Sequence, residues 1–313
     1  MPTHAPLSAS SAASFADPLQ PLRTLLRSLG QIVLQRHAGT GACVLAALAL
    51  CDPRLACAAL IGATAANVCA LLGRAPLDAI DDGLAGFNGA LAGLAAFTFA
   101  ADTATAVALS LLAAAFSAWV GTPLVALLRR ANLAVYSAPC LLATWLWLAL
   151  HMGGERAAAA DASAPVLFAA NAFDALSGLL SGLAQTVFAS GTLPGLVLLA
   201  GIAWSSRRAA TYALGGAALA SVLEYGLGAP PASFAAGLCG FNGALAALAA
   251  SALGPRAAIC ATMLAAALHV AAARLGLPAM TAPFALAGWG VHLAWRLPLR
   301  QRPSGKPKHR TVR

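Results

Sequence analysis

The stretch "GFNGALAGLAAF" occupies residues 86–97, and nearly the same words, "GFNGALAALAAS", return at residues 240–251. Asn88 and Asn242 stand 154 residues apart. Upstream, Gln31 in "SLGQIVL" and Gln185 in "GLAQTVF" keep the same spacing. Downstream, "LAVYSAPC" from Leu133 and "LPAMTAPF" from Leu277 stand 144 apart. The order is the same both times: Gln, then GFNG, then a Ser/Thr-x-Pro segment. An Ala-rich chain produces one such echo by chance, but three in one order mark an internal repeat. The ten-residue change of offset places a length difference between the second and third landmarks.

Around these landmarks the chain is apolar. Its 313 residues are 60% hydrophobic and 9% charged, with mean hydropathy +0.79. A soluble domain carries about 25% charged residues. Apolar stretches broken by Arg, Asp, Pro and Gly read as a polytopic α-helical membrane protein, with about five apolar segments per half and some shorter ones. The alternating ten-residue segments of a transmembrane β-barrel are a different pattern. We divide the chain into a disordered tail (1–21), a first membrane repeat (22–151), a linker (152–165), a second membrane repeat (166–298) and a basic tail (299–313).

The net charge of +9 sits largely at the ends. Arg296, Arg300, Arg302, Lys306, Lys308, Arg310 and Arg313 crowd the C-terminus, and Arg23 and Arg27 flank the first apolar segment. Flanking basic residues predict that both termini are cytoplasmic. The tail lacks the aromatic residues that stack on bases, so it reads as an anchor on anionic lipid rather than a nucleic-acid surface. Short loops and an N-terminus without a basic-then-apolar leader suggest a bacterial inner membrane. Termini on one side require an even number of spans. An odd number in each half then inverts the second half and puts a solute site at the midplane between them. Arg54 and Arg208 hold equivalent places, so charge does not by itself orient the halves.

In hydrocarbon each unpaired backbone group costs several kcal/mol, so broken helices persist only inside protein or against a wet cavity. Glycine supplies close approach or unusual φ, and an Asn side chain can bond freed backbone groups. Pro283 removes an N–H and is expected to leave a carbonyl without its helical donor. Such carbonyls suit a solute rich in N–H donors. Helix packing through small residues is the competing reading of GFNG, and an interhelical hydrogen bond is the competing reading of each Gln. The acidic residues are few. Asp78, Asp81 and Asp82 form a polar loop, while Asp174 and Glu224 read as capping or interfacial. His269 and His292 read as packed or hydrogen-bonded, and the seven cysteines as buried free thiols. No metal, cofactor or catalytic constellation is legible, and no Walker A pattern. A path poor in charge suits passive movement of a neutral solute, since ion-coupled transport uses charged groups inside the bundle.

The "LPAMTAPF" segment, the two GFNG segments and the Gln stretch before each resemble the urea transporter family over about residues 22–298. The resemblance implies two inverted five-helix halves with short re-entrant helices, a homotrimer with one pore per protomer, and passive, channel-like passage of urea across a lipid bilayer. It implies backbone carbonyls and aromatic clamps along the slot. By motif, Gln31 and Gln185 belong near the two entrances. Phe87, Leu91, Phe241 and Leu245 belong along the slot, Phe188 in an aromatic clamp, and Ser137 and Thr281 at the central constriction. Several positions depart from the family pattern. Leu34 stands where Phe is common, and Ala134, Ser137 and Cys140 replace Pro, Thr and Phe. Arg36–His37 and Ser190–Gly191 take the place of a polar pair. A Ser in place of Thr widens the constriction slightly. This keeps open a channel for another small neutral solute: a short amide, a urea analogue or ammonia.

Overall fold

A computed structural model describes residues 18–153 and 172–296. Most of the N-terminal tail and of the 152–165 linker, and all of the 299–313 tail, lie outside the described residues. Among the described residues there are fourteen α-helices, one short 3-10 turn at Ser251–Leu253 and no strand. The first seven are α1 (Gln20–Gln31), α2 (Ala38–Cys51), α3 (Pro53–Leu72), α4 (Leu77–Asp81), α5 (Phe87–Phe99), α6 (Thr103–Arg130) and α7 (Ala138–Ala149). The second seven are α8 (Ala172–Gln185), α9 (Thr192–Ser205), α10 (Arg207–Gly226), α11 (Pro231–Ala235), α12 (Phe241–Ala250), α13 (Pro255–Arg274) and α14 (Ala282–Ala294).

The second series repeats the first, element for element. Helices α9 to α12 start 154 residues after α2 to α5, and α14 starts 144 after α7. The lost residues fall mainly on one helix: α6 has 28 residues where α13 has 20. Backbone conformation repeats as well. Leu34 (φ 58°) pairs with Phe188 (φ 62°), and Tyr136 (φ 46°) with Met280 (φ 43°). None of these is glycine, and a bulky residue in the left-handed region is held there only by its surroundings.

Local chemistry marks the helix ends. The Asp52 carboxylate accepts from the Arg54 N–H and Pro53 opens α3, while Ser206 accepts from the Ala209 N–H at the start of α10. Asp102 accepts from the Thr105 N–H at 2.9 Å at the start of α6. Such side-chain acceptors satisfy orphan donors of the first turn. The bonds from Thr105 hold the exposed Asp102 carboxyl below its ordinary 3.8. A depressed folded-state pKa gives stability that is present above the unfolded value and is lost as pH falls through the folded one. Melting temperatures of wild type and Asp102→Ala are therefore expected to differ at pH 7 and to converge in acid.

Among the described residues, three helices are long and apolar enough to cross a membrane alone: Pro53–Leu72, Thr103–Arg130 and Pro255–Arg274. At 1.5 Å per residue, a 20-residue helix spans about 30 Å, the hydrocarbon thickness. Helices α5 and α7, with 13 and 12 residues, reach only part of that distance. Glycine brings the layers together. A Cβ on Gly62 of α3 would strike the Gly89 backbone of α5, and one on Gly216 of α10 the Gly243 backbone of α12. Gly89 and Gly243 close the two GFNG words, so the packing reading of that motif is correct for its second glycine.

The cysteines correct one expectation. All seven are free, but only Cys140 and Cys239 are buried, and Cys57 and Cys260 are exposed. Cys57 and Cys260 lie on α3 and α13, two of the helices long enough to span a membrane.

Candidate solute pathway

Helices α7 and α14 each begin inside the protein, and their first turns face one another. The Ser137 Oγ, just before α7, lies 2.8 Å from the Thr281 Oγ1, just before α14. Both residues are buried. Around this contact is a cavity of about 10 Å³, roughly the room of one water. Gln31, Ile32, Leu34, Phe87, Leu91, Tyr136 and Ser137 line it from the first series, and Thr186, Leu245, Thr281 and Phe284 from the second. The lining offers hydroxyls, one carboxamide and aromatic and aliphatic faces, with no charged side chain to bind a metal.

The GFNG asparagines hold the two hydroxyls in place. Asn88 donates through Nδ2 to the Tyr136 carbonyl at 3.1 Å, and its Oδ1 accepts from the Cys140 N–H at 3.1 Å. Asn242 repeats both bonds one series later, to the Met280 carbonyl at 3.0 Å and from the Phe284 N–H at 3.2 Å. Each Asn thus caps the first turn of a helix from another element and occupies the carbonyl just before it. This corrects the expectation for Pro283. It sits in the first turn of α14, as Pro139 does in α7, where a missing N–H costs nothing. The carbonyl freed at this break is that of Met280, and it is taken by Asn242 rather than left open.

Two tryptophans tie the series together reciprocally. Trp145 Nε1 in α7 donates to the Pro278 carbonyl at 2.7 Å, and Trp289 Nε1 in α14 donates to the Ala134 carbonyl at 2.8 Å. Contacts of i with j′ and of i′ with j are those made by a local two-fold relation.

The glutamines repeat too. Gln31 Nε2 donates to the Asp82 carbonyl at 2.9 Å, and Gln185 Nε2 to the Ala236 carbonyl at 3.4 Å. Each tethers the end of its helix to the loop that leads into GFNG. Gln31 also lines the central cavity. Gln185 and Phe188 are half-buried and do not line it, and Phe188 instead packs edge-on against Phe99, 6.4 Å between centroids. Phe241 does not line it either. It lies one turn before Leu245, which does, and packs edge-on against His269.

Sequence reasoning missed Ile32, Tyr136, Thr186 and Phe284 in the lining. Tyr136 packs against Phe284 with centroids 5.2 Å apart. Phe284 ends the "LPAMTAPF" segment and was legible there; the left-handed backbone that turns Tyr136 inward was not. The placement of Glu224 is a further correction. It is neither a cap nor interfacial: it is 1% exposed, and its Oε2 lies 2.9 Å from His269 Nδ1. His292 is hydrogen-bonded as expected, with Nε2 3.1 Å from the Ala249 carbonyl oxygen.

Over residues 22–296 the chain matches the family model described as urea transporter. The chain belongs to the urea transporter family. None of the curated proteins matches it. This urea transporter family member is a membrane protein that works in transport and not as an enzyme, and transport of urea across a membrane is what its family supports. The cavity between its two helix series is the natural place to look for the path.

Proposed function

We propose that this protein is a passive channel for urea, with the solute passing between its two helix series at the Ser137–Thr281 contact. The hydroxyl pair, contributed once by each series, is the observation that carries the reading. Urea is neutral and planar, with four N–H donors and one carbonyl acceptor. Stripping its water is costly unless partners replace that water at once. A hydroxyl accepts from an N–H or donates to a carbonyl, so the pair can serve either end of the molecule. The two hydroxyls bond to each other when no solute is present, so neither is left without a partner. Passage requires that contact to part, and only a solute that bonds both hydroxyls repays the break.

In this reading the halves are inverted about an axis in the membrane plane, which the reciprocal tryptophan bonds support. The short helices α5, α7, α12 and α14 are re-entrant and meet at the midplane. Gln31, Phe87, Leu91, Leu245 and Thr281 line the slot with Ser137. Gln185, Phe188 and Phe241 stand toward the second entrance. Each protomer of a homotrimer carries its own path in a bacterial inner membrane, with both termini cytoplasmic.

Purified protein in liposomes, challenged with a urea gradient and followed by stopped-flow light scattering, tests the proposal. Urea entry without any ion gradient should exceed that of empty liposomes at least tenfold. Thr281→Val keeps the shape and removes the hydroxyl, and should lower flux severalfold with assembly unchanged. Wild-type flux in a folded Thr281→Val protein would place the path elsewhere. Faster entry of acetamide, methylurea or ammonia than of urea would favour the other small neutral solutes.

A further inference from the structure

A second cavity, of about 390 Å³, is walled by the last turns of α10 and α13 and by the chain leading through α11 toward α12. Glu224, Cys239, His269 and Arg274 line it. Glu224 is almost wholly buried. Its Oε2 meets His269 Nδ1, while its Oε1 has no hydrogen-bond partner among the described residues. A carboxylate buried in this way is tolerated in its charged form only beside an opposite charge, and His269 is the group placed to supply one. The His269 side chain is 19% exposed and lines the cavity, so protons can reach it from water there. On its other side the imidazole packs against the Phe241 ring, centroids 5.2 Å apart and planes at 77°. Phe241 is the first residue of α12, whose next turn carries Leu245 into the central cavity. The first series has Ala70 where the second has Glu224, so this arrangement belongs to one half alone.

We propose that His269, held by Glu224, is a positioning residue for Phe241 and makes the second wall of the pathway sensitive to pH. Imidazole is the side chain whose charge changes between pH 5 and 8. With its second proton, the ring forms an ion pair with Glu224 and brings a positive charge into T-shaped contact with the Phe241 ring, whose quadrupole makes that contact depend on the charge. Without the proton that charge is gone, and the packing of Phe241 against the imidazole changes with it. Arg274 keeps its charge throughout and is bound through Nη2 to the Leu227 carbonyl at 2.7 Å. Cys239 is the other titratable neighbour at the cavity. On α14, His292 lies at the opposite end of α13 and bonds Ala249. The effect on flux rests on the channel reading above; the contact between His269 and Phe241 does not.

The test places 4-fluorophenylalanine at position 241 of the full chain and follows its ¹⁹F resonance from pH 5 to 8. Wild type should show a single titration, and His269→Gln a flat line. His269→Phe keeps a ring against Phe241 without taking a proton, and serves if His269→Gln does not fold. Glu224→Gln keeps the hydrogen bond without the charge and should move the midpoint; an unmoved midpoint removes Glu224 from the proposal. Urea flux into liposomes should change at least twofold over the same range in wild type, while His269→Gln conducts with no pH dependence. A flat resonance in wild type, or a titration that survives in His269→Gln, overturns the proposal. If the resonance titrates but no urea passes at any pH, the channel reading fails and the coupling stands.

Discussion

Gly216→Leu is expected to abolish recovery of folded protein, while Gly215→Leu, one residue earlier on the same helix, leaves it near wild type. The two glycines are adjacent in α10 and identical in helix propensity, so propensity cannot separate them. Their surroundings do. A side chain on Gly216 would run into the Gly243 backbone and the Ala247 Cβ, whereas a Cβ on Gly215 meets nothing within 4 Å. Backbone cannot step aside as a flexible side chain can. Forcing extra volume into a packed site costs about 1–3 kcal/mol, and more where the obstacle is main chain. Here the obstacle also carries Asn242, next to Gly243, so any shift of α12 spreads to the central contact. Gly62→Leu should fail in the same way against Gly89. Size-exclusion profiles and melting temperatures in detergent decide it. A folded Gly216→Leu protein with wild-type melting would mean that the two helices do not touch there.

Asn242→Ala is expected to lower the melting temperature and to reduce urea flux by more than the loss of either hydroxyl. The residue is fully buried, and its side chain makes two bonds to the backbone at the start of α14. Truncation leaves the Met280 carbonyl and the Phe284 N–H without their partner. Each orphaned buried group costs about 1–3 kcal/mol. The effect on transport follows because Thr281 stands between those two backbone groups. Releasing them loosens the hydroxyl that faces Ser137. Asn242→Asp separates the two bonds: it keeps an acceptor for the Phe284 N–H and sets an acceptor against the Met280 carbonyl. It should fold less stably than wild type, with flux reduced as in Asn242→Ala. Asn88→Ala should behave alike through Tyr136 and Cys140. Normal flux and melting in Asn242→Ala would show that the start of α14, and with it Thr281, is held by other contacts.

Much of this protein was legible before any coordinates, for reasons of periodicity and composition. Low charge and recurring apolar runs implied helices in a membrane, because only a helix satisfies its own backbone in lipid. The doubled Gln, GFNG and Ser/Thr-x-Pro landmarks implied a repeat, and the helix starts repeat at the same offsets of 154 and 144 residues. The motif resemblance pointed to the family that the chain belongs to. Ser137 and Thr281 were singled out in sequence and are found in contact.

What the sequence determined by itself was the list of elements, their doubling and the residues worth watching, because these follow from local pattern. Only the tertiary structure decided which of those residues meet. Nothing in "FNG" says that its Asn caps a helix 48 residues away in one half and 38 in the other. Tyr136 and Met280 carry no glycine to announce a left-handed turn, since packing rather than intrinsic preference holds them there. Glu224 looked like a helix-end residue, and what made it a buried partner of His269 was the approach of another helix 45 residues away in sequence. A side chain's partner is a property of packing between distant segments, and a single sequence records such packing only where both partners carry a recognisable mark.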